Sequence, residues 1–292
     1  MSQSTSLSTL AAFNVSIGGK LYSEVPIGAP CYTTSSSYSQ AACDEVTSNY
    51  QKAQWRTDSF SSYNAINWET CGIANKCLAP PMNRSAICSQ GSVPRYSVHA
   101  TTSSDIQKYV QFAAKFNLRI VVKNTGHDYQ GRSSSWDGFA LWTHGIRGIT
   151  RNQHFMPACC TATPQDSITV ASGEQCETVY QFADDAGFLI VGGNCETVGA
   201  GGGWLLGGGH SILSPSYGLG VDNLLQAEIV TPDGKLQTVS ECSNPDPFIM
   251  EPICTKSSTK SISTTQEYTI AQISTTRVMH SPELHFSVSG CA

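Results

Sequence analysis

Hydrophobic and polar positions fall into a regular order only from about Arg95 onward. Arg95-Tyr96-Ser97-Val98-His99 alternates as a short strand does. Ser104-Asp105-Ile106-Gln107 then has the form of a capping box, and Ile106, Tyr109, Val110, Ala113 and Phe116 recur at helical spacing. That apolar stripe must pack against something, and the near-continuous apolar run over 118–122 predicts a strand buried on both faces as its partner. The arrangement returns further on. Val179, Tyr180, Ala183 and Ala186 mark a helix closed by Gly187, and Phe188, Leu189, Ile190 and Val191 predict the next buried strand. Strands are also predicted over 139–143, 167–171, 224–231 and 235–239, the last two joined by Pro232-Asp233-Gly234. Helix followed by buried strand is an α/β unit, and such folds place ligands at the loops after the strands, where backbone amides can be reached.

On either side the pattern fades. Residues 1–88 are rich in Ser, Thr, Asn and Tyr, and read as a loop-rich, Cys-containing leader wrapped on the main domain; the alternative is a disordered arm. Residues 247–292 are Ser/Thr-rich, hold no glycine before Gly290, and show no helix or strand series.

Composition narrows the classes. With 40% apolar content, 292 residues can bury a substantial core. Lys and Arg number 17 against 22 acids and do not cluster, which argues against a nucleic-acid partner. No apolar run approaches the roughly 20 residues of a spanning helix, which argues against a membrane protein. Twelve cysteines, five of them from Cys31 to Cys88 and none in a C-x-x-C pair, point to an oxidising, extracellular compartment, as do the sequons Asn14-Val15-Ser16 and Asn83-Arg84-Ser85. Met1 to Leu10 carries neither a basic start nor an apolar core, so no secretion signal is legible in this chain.

Two stretches can carry chemistry. His127 lies in Gly-His-Asp directly after the strand predicted over 118–122, where an imidazole can serve as nucleophile, base, metal ligand or structural group. A metal reading would enlist Asp128, Cys195 and His210, whose spacing fits no helix-borne zinc pattern. The run from Gly192 to His210 is dense in glycine yet is neither a dinucleotide fingerprint nor a P-loop, because Trp204 stands where glycine is needed and no Gly-Lys-Ser/Thr follows. Trp204, Leu205, Leu206, Ile212 and Leu213 among the glycines imply packing and a backbone-lined ligand surface. Within this run Cys195 is either a nucleophilic thiol or half of a disulfide with Cys176 or Cys242.

Lys123-Asn124-Thr125-Gly126-His127-Asp128-Tyr129-Gln130-Gly131-Arg132-Ser133-Ser134 resembles the FAD-loop motif of fungal FAD-linked oxidases. Gly192-Gly193-Asn194-Cys195-Glu196-Thr197-Val198-Gly199, Gly207-Gly208-Gly209-His210-Ser211 and Tyr217-Gly218-Leu219-Gly220-Val221-Asp222-Asn223 resemble the second motif of the same branch. These oxidases form the berberine-bridge-enzyme-like branch of the vanillyl-alcohol oxidase and p-cresol methylhydroxylase (PCMH) superfamily. The resemblance implies an α+β fold: a PCMH-type FAD-binding domain of two α/β subdomains, over residues 89–246. It implies that His127 bonds the flavin 8α-methyl and that Cys195 bonds C6 in members with two links. Asn124, Thr125, Gly126, Gly193, Thr197, Val198, Gly199, Gly202 and Gly203 fall where the family's loops approach the pyrophosphate and ring. The implied reaction is oxidation of an alcohol or sugar hydroxyl by hydride transfer to flavin N5, with O2 as electron acceptor.

The resemblance stops at Asp246, where family members continue into the rest of the FAD domain and a substrate domain. The expectation is that a frameshift or unrecognised intron has replaced that half and that the substrate domain is largely missing. The proton-accepting base normally comes from there, so no catalytic residue is assigned. Two alternatives stand beside the oxidase: a non-catalytic FAD-binding remnant, and a secreted disulfide-rich binding module without cofactor.

Overall fold

The computed structural model describes residues 5–69, 76–158, 160–161, 163–244 and 270–279. The chain divides into two units, one of Met1–Ala100 with Gln111–Thr143 and one of Thr101–Val110 with His144–Ala292.

The first unit opens with α1 (Leu7–Ser16), β1 (Leu21–Ser23), α2 (Gln40–Asn49) and α3 (Ala53–Thr57). The residues read as a loop-rich leader therefore carry three helices. Serine hydroxyls cap two of them, Ser6 accepting from the Thr9 N–H and Ser39 from the Ala42 N–H. Each buries very little, Leu10 and Phe13 from α1 and Cys43 and Val46 from α2, so neither leaves an apolar stripe to read. Phe13 stacks on Phe112 at 4.0 Å and reaches Phe139 at 6.1 Å. Disulfides Cys31–Cys43 and Cys77–Cys88 pin the same region.

After β2 (Tyr96–His99) come α4 (Ser103–Lys115), β3 (Ile120–Lys123) and β4 (Phe139–Trp142). The sheet order is β1-β2-β4-β3, with β2, β4 and β3 parallel and β1 antiparallel at the edge. The cap of α4 lies two residues earlier than the sequence suggests. The Asp105 carboxylate accepts the backbone N–H groups of Thr101 and Thr102, while the Thr102 hydroxyl accepts from the Asp105 N–H. Gln107, expected to close the box, instead donates to the Gly234 carbonyl. Of the predicted apolar stripe Ile106, Tyr109, Val110 and Ala113 are buried, the first two fully, while Phe116 is half-buried.

The second unit holds β5 (Ile149–Phe155), β6 (Gln165–Ala171), α5 (Cys176–Asp185), α6 (Ser214–Tyr217), β7 (Leu224–Val230), β8 (Leu236–Ser240) and β9 (Ile270–Arg277). Its sheet is antiparallel throughout in the order β5-β6-β9-β7-β8. Gly187 ends the α5 turn at φ +70°, the left-handed position the sequence assigned to it. Two expectations need correction. Residues 188–191, buried except for the half-buried Leu189, are not a strand: Leu189 makes an isolated antiparallel bridge to Met279, and the rest of the run has no ladder among the described residues. Conversely, the tail contains β9, paired on both sides by β6 and β7. Alternation of Ile and Ala with Gln, Ser and Thr is faint, and the two neighbouring ladders supply what local pattern does not. The remainder of the tail, 247–269 and 280–292, lies outside the described residues. A third disulfide joins Cys160 to Cys242.

Candidate functional site

His127 stands four residues past the end of β3, at the carboxyl end of a parallel strand. A buried polar clasp builds its platform. Arg56, 2% exposed, donates to the Tyr63 carbonyl through Nε and Nη2, to the Tyr50 carbonyl through Nη1, and pairs with Glu69, itself 4% exposed. Glu69 Oε1 also accepts the Tyr63 N–H at 2.7 Å, and Oε2 the Tyr50 hydroxyl at 3.3 Å. The closed loop turns the Ser59 and Phe60 carbonyls onto Lys123, whose ammonium reaches them at 2.7 and 2.9 Å beneath the rings of Phe60, Tyr63 and Trp142. Burial pushes the Lys123 ammonium down to about 7.

The next three carbonyls are held by the same unit. Trp142 Nε1 donates to the Asn124 carbonyl at 2.8 Å, Asn64 Nδ2 to that of Thr125 at 3.4 Å, and the Asn64 N–H to that of Gly126 at 3.0 Å. In a trans peptide the C=O and the following N–H point in opposite directions. In each of these peptides the N–H that follows, of Thr125, Gly126 and His127 in turn, therefore lies opposite the held carbonyl. Gly126 takes φ +87° to allow this, and a Cβ there would stand 3.1 Å from Tyr63 Cα. Downstream, Asp128 accepts from the Arg132 N–H and guanidinium, Trp68 Nε1 donates to the Tyr129 carbonyl, and Gly131 packs flat on the Trp68 ring. His127 is half-buried between these two anchors.

In the second unit the Cys195 loop is built on the start of α5. No side chain caps that helix; the carbonyls of Val198 and Glu196 accept the N–H groups of Cys176 and Glu177 at 2.9 and 3.0 Å. Gln175 Nε2 holds the carbonyl of the buried Thr197, and Gln175 pairs with Gly199 in an isolated bridge. Val198 is half-buried and Gly193 and Gly199 buried. A Cβ on Gly192 would collide with Tyr180 and one on Gly193 would stand tight against Trp204 at 3.0 Å; the Tyr180 hydroxyl donates to the Gly193 carbonyl at 2.6 Å. Cys195 is disulfide-bonded, but not to either candidate named from sequence: Cys242 is joined to Cys160, and the buried Cys176 is a free thiol that burial raises to about 11. A sulfur in that bond is not available to a ligand.

The glycine run is a π-helical turn, Ala200–Trp204, in which the glycines divide by role. Gly202 is buried. A Cβ on Gly201 would lie 2.8 and 2.9 Å from the carbonyl oxygens of Ala171 and Val170 on β6, whereas Gly203 faces open space. We expect Gly201→Ala to cost about 1–3 kcal/mol through overpacking, and Gly203→Ala to leave stability unchanged, as read by urea denaturation.

Sequence reasoning singled out His127 and the small residues near it and near Cys195, but not the side chains that hold each loop: Asn64, Trp68 and Trp142 around the first, Tyr180 at the second. Only the i,i+4 spacing of Asp128 and Arg132 advertises its contact in advance. Among the described residues no group of three His, Cys, Asp or Glu could hold a metal, and no helix is long and apolar enough to cross a membrane.

A glycine-containing backbone loop whose carbonyls are all held, as at 124–126, suits phosphate oxygens on its N–H side. The FAD binding domain family matches residues 94–240. An uncharacterized FAD-linked oxidoreductase of Arthroderma benhamiae is 41% identical over 240 residues, covering 81% of this chain and 41% of that protein. FAD-linked oxidoreductase malF of Malbranchea aurantiaca is 36% identical over 82% of this chain and 40% of its own length. The chain thus spans about two fifths of these relatives. The VAO-type flavoprotein MtVAO615 of Myceliophthora thermophila superposes with a TM-score of 0.79 at 29% identity, covering 94% of this chain and 47% of that one. A glucooligosaccharide oxidase of Acremonium strictum, solved in a study of its 6-S-cysteinyl, 8α-N1-histidyl FAD, shares the fold at a TM-score of 0.52 and 20% identity, over 64% of this chain and 35% of its own.

Proposed function

From the premise that this chain belongs to the FAD binding domain family, we propose that it holds FAD covalently and serves the oxidation of an alcohol or sugar hydroxyl, with O2 taking up the electrons. The observation that carries this reading is the loop at 124–126, whose three carbonyls are each held by a donor from Trp142 or Asn64 immediately before His127. When bound, FAD supplies a hydride acceptor at N5 of its ring.

The residues of this chain bind and orient. In this reading the N–H groups of Thr125, Gly126 and His127 would face the pyrophosphate oxygens, and the His127 imidazole would be the group that holds the ring at its 8α-methyl. The loop of Gly193, Thr197, Val198 and Gly199, with Gly202 and Gly203, offers backbone without side chains in the way. Cys195 supplies a second link at C6 only as a thiol, so that link requires its disulfide to open. Three disulfides among the described residues support an extracellular site of action.

The test is made on the purified full chain. A yellow protein whose flavin stays with the pellet after acid precipitation, and which consumes oxygen with a member of an alcohol and sugar panel, supports the proposal. Colour without turnover leaves the non-catalytic remnant, and a colourless chain that ignores added FAD leaves the binding module. Gly203→Ala is expected to weaken FAD retention at unchanged stability.

A further inference from the structure

The two sequons differ in what the fold does with them. Asn14 lies within α1, its Oδ1 accepting the Leu21 N–H at 2.9 Å, while the Ser16 hydroxyl turns back onto the Phe13 carbonyl at 2.7 Å. Residues two apart on a helix do not share a face, so amide and hydroxyl cannot meet there.

Asn83 is the opposite case. Asn83, Arg84 and Ser85 are exposed in a turn inside the loop closed by Cys77–Cys88. Asn83 Oδ1 accepts the Ser85 N–H at 2.9 Å, which folds the hydroxyl-bearing residue back beside the amide, and the Ala86 N–H closes the turn on the Asn83 carbonyl at 3.2 Å. The middle residue anchors it: the Arg84 carbonyl accepts from the Thr33 N–H and hydroxyl, and its guanidinium donates to Gln40 Oε1 at 2.8 Å. Asn83 is thus displayed on a fixed support. Its neighbours Met82 and Ile87 are 104% and 62% exposed, an apolar surface with no cover among the described residues.

We propose that Asn83 is an N-glycosylation site and that Asn14 is not, the glycan at Asn83 shielding Met82 and Ile87. The donor is an oligosaccharide carried on a lipid pyrophosphate. Asn83 Nδ2 bonds the anomeric carbon as the bond from that carbon to the pyrophosphate oxygen breaks; the amide proton passes to the transferase and the lipid pyrophosphate departs. No oxidation or reduction is involved, and the proposal does not rest on the flavin reading.

The full chain, exported behind a secretion leader from a yeast host, is analysed by intact mass and peptide mapping before and after peptide N-glycosidase. The expected result is a mass drop in the unsubstituted chain and in Asn14→Gln, with the enzyme's Asn-to-Asp mark at position 83. The drop is lost in Asn83→Gln and in Ser85→Ala, which keeps the asparagine. Mapping of the unsubstituted chain reads the site even if a variant fails to be exported. No mass drop, or a mark found at position 14 alone, overturns the proposal.

Discussion

Glu69→Ala is expected to destabilise the first unit by about 3–5 kcal/mol, because it leaves the Arg56 guanidinium buried without its counter-charge. At the usual scaling this lowers the melting midpoint by on the order of 10 °C. The loss reaches further than the pair. Glu69 Oε1 also holds the Tyr63 N–H, and the loop it closes supplies the carbonyls on Lys123 and the Asn64 contacts to Thr125 and Gly126. FAD retention should therefore fall in the same variant below its melting point. The double substitution Arg56→Met with Glu69→Leu should recover part of the stability, since neither charge is then stranded, but not the loop geometry. Chemical denaturation and flavin absorbance, measured on the same samples, separate the two effects. Equal loss of stability in the single and double variants would show that the pair's charges are not what matters.

His127→Ala should abolish acid-stable flavin, bringing the pellet from stoichiometric colour to background, while bound FAD in the native protein is only weakened. The backbone donors at 125–127 survive the substitution, so affinity and covalent attachment come apart. Cys195→Ala should keep the acid-stable colour, because the His127 tether alone suffices to hold the ring. Denatured, washed protein examined by absorbance and peptide mass reads both variants. Acid-stable flavin persisting in His127→Ala would move the tether to another side chain.

What could be read in advance follows from where the determining contacts lie. The helix bearing Ile106, Tyr109, Val110 and Ala113 announces itself because its own residues face one core. The strands at 139–142 and 224–230 were legible for the same local reason, and the turn at Gly234, at φ +75°, by its glycine. Helices that bury two side chains each leave too thin a stripe, which is why α1 and α2 read as loop. Residues 188–191 were apolar enough for a strand but have no pairing neighbour among the described residues beyond the bridge to Met279, and burial alone does not make a ladder. At the site, position 127 was visible because a strand ends just before it. Its supports were not, because Asn64 and Trp68 come from a stretch with no period of its own.

The place of β9 bears on how the second unit is made. Strands β6 and β7 each pair with it rather than with one another, so neither completes its ladder until residues 270–277 have left the ribosome. Until that moment two half-paired strands wait with open edges, a ready template for other chains. Synthesis at a slow pace prolongs the wait, and a holding chaperone during that interval is what the order of pairing calls for.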